Sequence, residues 1–256
     1  MCLIGLRFDG NGELLIAANR DEFADRPTQP MHWWEEGVLA GKDLRADGTW
    51  LGITRDGRFA AVTNVRDPSM KDNAVPLGSR GRIVSRFLQD SASPKDVVAQ
   101  LTQDITAPSP FNLLLGVIRE DGPEIWWFGG RVRRVEQLQP GYHTLSNAEL
   151  NTPWPKSRAL HQALHSVTPE TAIDGLSTIM RTKQEASEHE LPATGVPLEW
   201  EKRLSAIQIT GESYHTRSTT IIAIHHHRVA AREITWTPDG EIAQQVEFNF
   251  QLAIAG

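Results

Sequence analysis

The chain has 256 residues, a formal charge of −6 and a single cysteine. One thiol cannot close an internal disulfide, and no CxxC or Cys/His spacing marks a structural zinc site, so a reduced, cytoplasmic setting is expected. Acids and bases are interspersed rather than blocked, which argues against a nucleic-acid partner, and no apolar run approaches the roughly 20 residues of a membrane span.

The chain opens on "MCLIGLRFDGNGELLIAANRDEF". Two apolar runs flank Asp9-Gly10-Asn11-Gly12, a hairpin signal because Asn-Gly accepts positive φ. A two-residue turn places Cys2 opposite Asp21, and a four-residue loop places it opposite Asn19. In both registers Asn19 and Asp21 share the face of Cys2, while Arg20 and Glu22 point the other way. "RPTQPMHWWEEG" reads as a structured loop, because Pro27 and Pro30 interrupt it. "GTWLGIT" and "RFAAVTNV" flank Arg55-Asp56-Gly57 and form a second hairpin.

Helical periodicity begins after Pro76. "SRGRIVSRFLQD" aligns Ile83, Val84, Phe87 and Leu88 on one stripe, and "SPKDVVAQLTQD" opens with Ser93 as N-cap before Pro94. "FNLLLGVI" and "EIWWFGG" read as buried strands, and "RVRRVEQLQPGYHTLSNA" as a strand and loop. A second helical pair follows in "WPKSRALHQALHSV" and "PETAIDGLSTIMRT". The chain then returns to strands in "RLSAIQIT", "RSTTIIAI", "VAAREITWT" and "QQVEFNFQL". This order predicts an α+β fold, a four-layer αββα sandwich of two antiparallel sheets, with residues 1–256 as a single domain.

The chemistry of the first strand follows from loss of Met1. The freed α-amine has a pKa of about 7.7–8.0 and the thiol about 8.5, so Cys2 alone supplies a nucleophile and a near-neutral base. Asp21 is placed to accept a hydrogen bond from the amine, the orienting role of a third triad member. Asn64, at the end of "VTN", and Asn147, in "LSNAELNTPWP", carry amides suited to an oxyanion.

"MCLI", "AANRDEF" with "RP", "DGTWLGIT", "GRFAAVTNVRDP", "SRGRIVSRFL", "SNAELNTPWPKS" and "TRSTTIIAI" together resemble the NRDE family, relatives of transport and Golgi organization protein 2. The family resembles N-terminal nucleophile hydrolases. By resemblance to the penicillin V acylase and bile salt hydrolase branch, Cys2 matches the nucleophile and Asp21 the amine-binding aspartate. Asn64 and Asn147 match the oxyanion positions, and Arg217 a late active-site arginine. That branch has an arginine three residues before its aspartate, where this chain has Ala18, so its bile-salt and penicillin substrates do not carry over. The family is also associated with haem trafficking and with lipid and acyl-coenzyme A metabolism.

Other residues suggest a ligand pocket. Trp33, Trp34 and Trp50 are candidates for its aromatic walls, with Asn19 on the Cys2 face. His143 is the candidate haem ligand. The His225-His226-His227 run sits at a hairpin tip, where alternation lets only two of the three share a face, so no metal site is expected there. The leading expectation is an N-terminal cysteine hydrolase or acyltransferase that acts on a small amide or thioester without a cofactor. The alternative is a non-catalytic protein that binds haem or a lipid-like ligand on the same scaffold.

Overall fold

The computed structural model describes residues 2–69, 79–105 and 110–254. Met1 and Pro76, which marked the expected processing site and helix onset, lie outside them. In chain order come β1 (Cys2–Phe8), β2 (Leu14–Phe23), β3 (Thr28–Trp33), β4 (Val38–Asp43), β5 (Leu51–Thr54) and β6 (Arg58–Asn64). Then follow α1 (Arg80–Gln89), α2 (Pro94–Asp104), β7 (Phe111–Arg119), β8 (Gly122–Gly129), β9 (Arg134–Gln137) and β10 (Gly141–Leu145). The last part holds α3 (Pro155–Ser166), α4 (Ala172–Ile179), α5 (Leu198–Arg203), β11 (Tyr214–His225), β12 (Arg228–Trp236) and β13 (Ile242–Gln251).

The strands form two antiparallel sheets, one ordered β10-β1-β2-β11-β12-β13 and the other β3-β4-β5-β6-β7-β8-β9. Alternation along β1 and β2 assigns their faces. Ile4, Leu6, Phe8, Leu14 and Ile16 join the core shared with the second sheet, whereas Leu3, Leu15 and Ala17 pack against Leu160, Leu164 and Leu176 of α3 and α4. Helices α1 and α2 cover the outer face of the second sheet through Val84, Phe87, Val98 and Leu101. The layers are therefore αββα, as the element order predicted. Both N-terminal caps of this helical pair form: Ser79 Oγ accepts from the Arg82 amide at 3.2 Å and Ser93 Oγ from the Asp96 amide at 3.1 Å.

Three local readings are corrected. The segment around Pro27 and Pro30 contains strand β3 at the edge of its sheet, the place where proline is tolerated. "RVRRVEQLQPGYHTLSNA" supplies two strands, β9 and β10, to different sheets. "RLSAIQIT" is no strand: it starts at the end of α5, and its amides bond outside any ladder, Gln208 to the Thr182 oxygen and Ile209 to Thr216 Oγ1.

Candidate active site

Cys2 opens β1, half-buried, directly opposite Arg20 of β2. The register comes from the loop. The Asp9 amide bonds the Glu13 oxygen at 3.2 Å around a three-residue turn, Gly10-Asn11-Gly12, whose last glycine has φ +87°. This odd-length loop shifts both expected registers by one residue and exchanges the faces. Arg20, not Asn19 or Asp21, shares the inter-sheet face with Cys2. Its guanidinium lies 4.5 Å from the Trp50 ring and bonds Thr28 Oγ1 at 3.1 Å and Asp43 Oδ2 at 3.2 Å.

Asp21 points toward the helical layer and lies one residue beyond Arg20, on the side of Cys2 from which its α-nitrogen leads. Its Oδ1 accepts from the Thr216 hydroxyl at 2.7 Å, and its main-chain oxygen accepts from the Tyr214 hydroxyl at 3.1 Å. Burial pushes its carboxyl up, and the ammonium of Lys156 is the largest opposing influence. Burial also raises the Cys2 thiol, to which the Asp21 charge adds.

The two asparagines meet beside this strand end. Asn147 Nδ2 donates to the Asn64 main-chain oxygen at 2.8 Å, and Arg80 Nη1 donates to Asn64 Oδ1 at 2.7 Å. The adjacent Ser146 hydroxyl bonds the Cys2 oxygen at 3.2 Å, and the Ser146 oxygen accepts from Thr63 Oγ1 at 2.8 Å. A primary amide has two N–H donors, so Asn147 retains one after bonding Asn64. Asn64 Nδ2 has no acceptor among the described residues.

Arg66, Glu201 and Lys156 are buried charges that escaped the sequence reading. Arg66 Nη1 bonds Glu201 Oε2 at 2.8 Å, with both side chains nearly inaccessible, and the Arg66 guanidinium lies 4.8 Å from the Trp154 ring. Lys156 is 2 % exposed in the first turn of α3. Arg66 and Lys156 both fall inside quoted motif blocks, "GRFAAVTNVRDP" and "SNAELNTPWPKS", but their charge alone reads as surface. A cleft of about 560 Å³ opens here, lined by Arg66, Asp67, Arg131, Asn147, Trp154 and Thr194.

The remaining candidates do not line that cleft. Asn19 is a buried strut: its Nδ2 bonds the Met180 and Ile207 oxygens at 3.0 and 2.8 Å, and its Oδ1 accepts from Thr219 Oγ1. Trp33 lies at the far end of β3 against Phe250 and Arg55, apart from Trp50. Trp34 bonds the Ala40 oxygen through its indole N–H. The ring nitrogens of His143 bond the Gln139 oxygen at 2.8 Å and Asn151 Nδ2 at 3.3 Å, on the outer side of β10. Arg217 stands at a bulge in β11, where its Nη1 bonds the oxygens of Phe23, Ala24 and Arg26 and ties down the loop after β2.

Among solved structures, a Caenorhabditis elegans N-acylethanolamine-hydrolyzing acid amidase ortholog is similar at a TM-score of 0.47 and 9% identity, over 86% of this chain and 92% of that one. Among the described residues no helix is long and apolar enough to cross a membrane. The Bos taurus Transport and Golgi organization protein 2 homolog is 30% identical over 88% of each chain. The Homo sapiens homolog is 33% identical over 61% of this chain and 60% of that one. The Drosophila melanogaster Transport and Golgi organization protein 2 is 25% identical over 88% of each. The family model for Transport and Golgi organisation 2 matches residues 1–237, and the chain belongs to that family.

Proposed function

We propose that the chain is an N-terminal cysteine hydrolase or acyltransferase acting on a small amide or thioester. The observation that carries this reading is the convergence at one strand end. Cys2 has Asp21 on the side of its α-nitrogen, and Ser146 links it to the Asn64–Asn147 pair.

Removal of Met1 frees the amine. That amine takes the thiol proton as Sγ attacks the substrate carbonyl carbon, and the carbonyl electron pair moves onto oxygen. The side-chain amides of Asn64 and Asn147 donate to this oxyanion, and Asp21 orients the ammonium. Collapse breaks the bond to the leaving amine or thiol, which takes the proton from the ammonium, and leaves a thioester on Cys2. Water, or a second nucleophile in acyl transfer, then releases the acyl group with the same amine as base. No cofactor enters these steps.

The test is the intact mass of protein from its native host, before and after a thiol-directed electrophile. The expected result is a mass lacking Met1 and one fast adduct mapped to Cys2. A retained Met1 with an unreactive thiol would overturn the hydrolase reading and move attention to ligand carriage, tested by titration with haem and with a fatty-acid probe.

A further inference from the structure

The first amides of a helix have no intrahelical acceptor, and the helix dipole adds to their positive charge. In α3 no side chain answers them: Trp154 holds the N-cap position without a side-chain hydrogen bond, Pro155 opens the helix, and no acid stands in the first turn. Lys156 and Ser157 come next. Both are 2 % exposed, and neither Lys156 Nζ nor Ser157 Oγ has a hydrogen-bond partner among the described residues. Side chains of a helix lean toward its N-terminus, so both groups gather at the end that carries the open amides.

A cavity of about 420 Å³ opens against this turn, lined by Lys156, Arg158, Gln162, Thr182, Ser187 and Ser205. It shares no lining residue with the cleft beside Asn147. Two acids also border it, and neither bonds Lys156: Glu190 is taken by Arg158 Nη2 at 2.7 Å, and Glu185 is exposed to solvent. Burial brings the Lys156 amine down to about 8, against the attraction of Asp21 and of ionised Cys2 and with the repulsion of Arg66, which is itself paired with Glu201. The positive end of α3 is thus undercompensated by the chain's own acids.

We propose that the start of α3 is a binding site for a small oxyanion, a carboxylate or a phosphate ester, whose anionic group enters this cavity and bonds Lys156 Nζ, with Ser157 Oγ as a further donor. Lysine serves here as a point charge on a flexible stem, so its ammonium turns into the cavity without a change of backbone. The open amides and the dipole of α3 favour the same charge. Gln162, Thr182, Ser187 and Ser205 suit a hydrophilic remainder rather than an acyl chain. The site does not depend on Cys2 as a nucleophile, since it rests on a different cavity and on different donors.

The experiment is the melting temperature of the full chain at neutral pH as inorganic phosphate or, separately, butyrate is added, against sodium chloride of matched ionic strength. The parent, Lys156→Met and Ser157→Ala are compared by the rise each anion produces, which reports its dissociation constant. At least one probe is expected to raise the melting temperature of the parent beyond the chloride control. Lys156→Met is expected to need about tenfold more of that anion for the same rise, the loss that follows removal of a charge-assisted bond. Ser157→Ala is expected to need more anion than the parent and less than Lys156→Met. A response to phosphate alone assigns a phosphate ester, and one to butyrate alone a carboxylate. A rise no greater than that with chloride, or one that survives Lys156→Met, would overturn the proposal. If Lys156→Met does not fold, Ser157→Ala decides alone, and a response equal to that of the parent rejects the site.

Discussion

The side-chain amide of Asn147 donates to the main-chain oxygen of Asn64 at 2.8 Å, and this bond joins the end of one sheet to the end of the other beside Cys2. The pair therefore has two separable jobs. Asn64 offers Nδ2, while Asn147 both holds Asn64 in place and keeps one donor of its own.

Asn64→Ala is expected to lower turnover by about 10²–10³-fold, the usual cost of one oxyanion donor. Asn147→Ala is expected to do this and also to destabilise the fold by about 1 kcal/mol, because the part-buried Asn64 oxygen loses this partner. Turnover of an amide or thioester found by screening, read beside urea unfolding, separates the two effects. Two variants with full turnover would remove both asparagines from the mechanism.

The Arg66–Glu201 pair fixes the wall of the cleft. Glu201 also accepts from the Thr194 amide at 2.9 Å and the Thr194 hydroxyl at 2.5 Å, so one carboxylate holds three groups. Breaking a buried pair leaves an uncompensated charge and costs about 3–5 kcal/mol. Glu201→Gln should show a loss of that order in urea unfolding, and Arg66→Met/Glu201→Gln should regain part of it. An unchanged midpoint in Glu201→Gln would mean that the pair is solvated.

The layer order was legible because alternation and helical stripes record which face each element buries, as in β1 and α1. The site was less legible, and one position explains much of the error. Gly12 adopts φ +87° in a three-residue turn, and this odd loop turns Asp21 to the helical face of the sheet. "RLSAIQIT" alternates like a strand, yet its amides bond outside any ladder, Gln208 to the Thr182 oxygen and Ile209 to the nearby Thr216 hydroxyl. Arg66 and Glu201 carry no local mark of burial, since each is paired with the other across 135 residues of sequence, and the buried Lys156 reads locally as an exposed helix lysine.

Gly41 permits the contact that seats Arg20. A Cβ there would meet Trp50 Cζ2 at 2.8 Å and the Gln29 oxygen at 3.1 Å, so Gly41→Ala must displace the indole on which the Arg20 guanidinium rests. Overpacking of this kind costs about 1–3 kcal/mol. The expected outcome is a lower melting temperature together with a shifted tryptophan emission. A melting curve identical to that of the parent would show that Trp50 yields freely.

Glu233 gives the fold a pH dependence whose sign can be worked out. It is buried in β12 and reaches across both sheets: Oε1 accepts from the Met31 amide at 2.6 Å and Oε2 from the Thr220 hydroxyl at 3.0 Å. Burial raises its carboxyl to about 7, against bonds from Met31 and Thr220 and the charge of Arg20 that pull it down. A folded pKa above the unfolded value of 4.5 means that the native state holds this proton after the unfolded chain has released it. The contribution is thus complete below the unfolded value and declines as pH rises toward about 7, by up to about 3 kcal/mol. Glutamine preserves the acceptor for Met31 and offers an N–H to Thr220 without a charge to desolvate. Glu233→Gln is therefore expected to flatten the stability slope over this window and to raise stability at pH 8, as measured by urea unfolding at a series of pH values. Parallel stability curves for the two proteins would place the titration on another group.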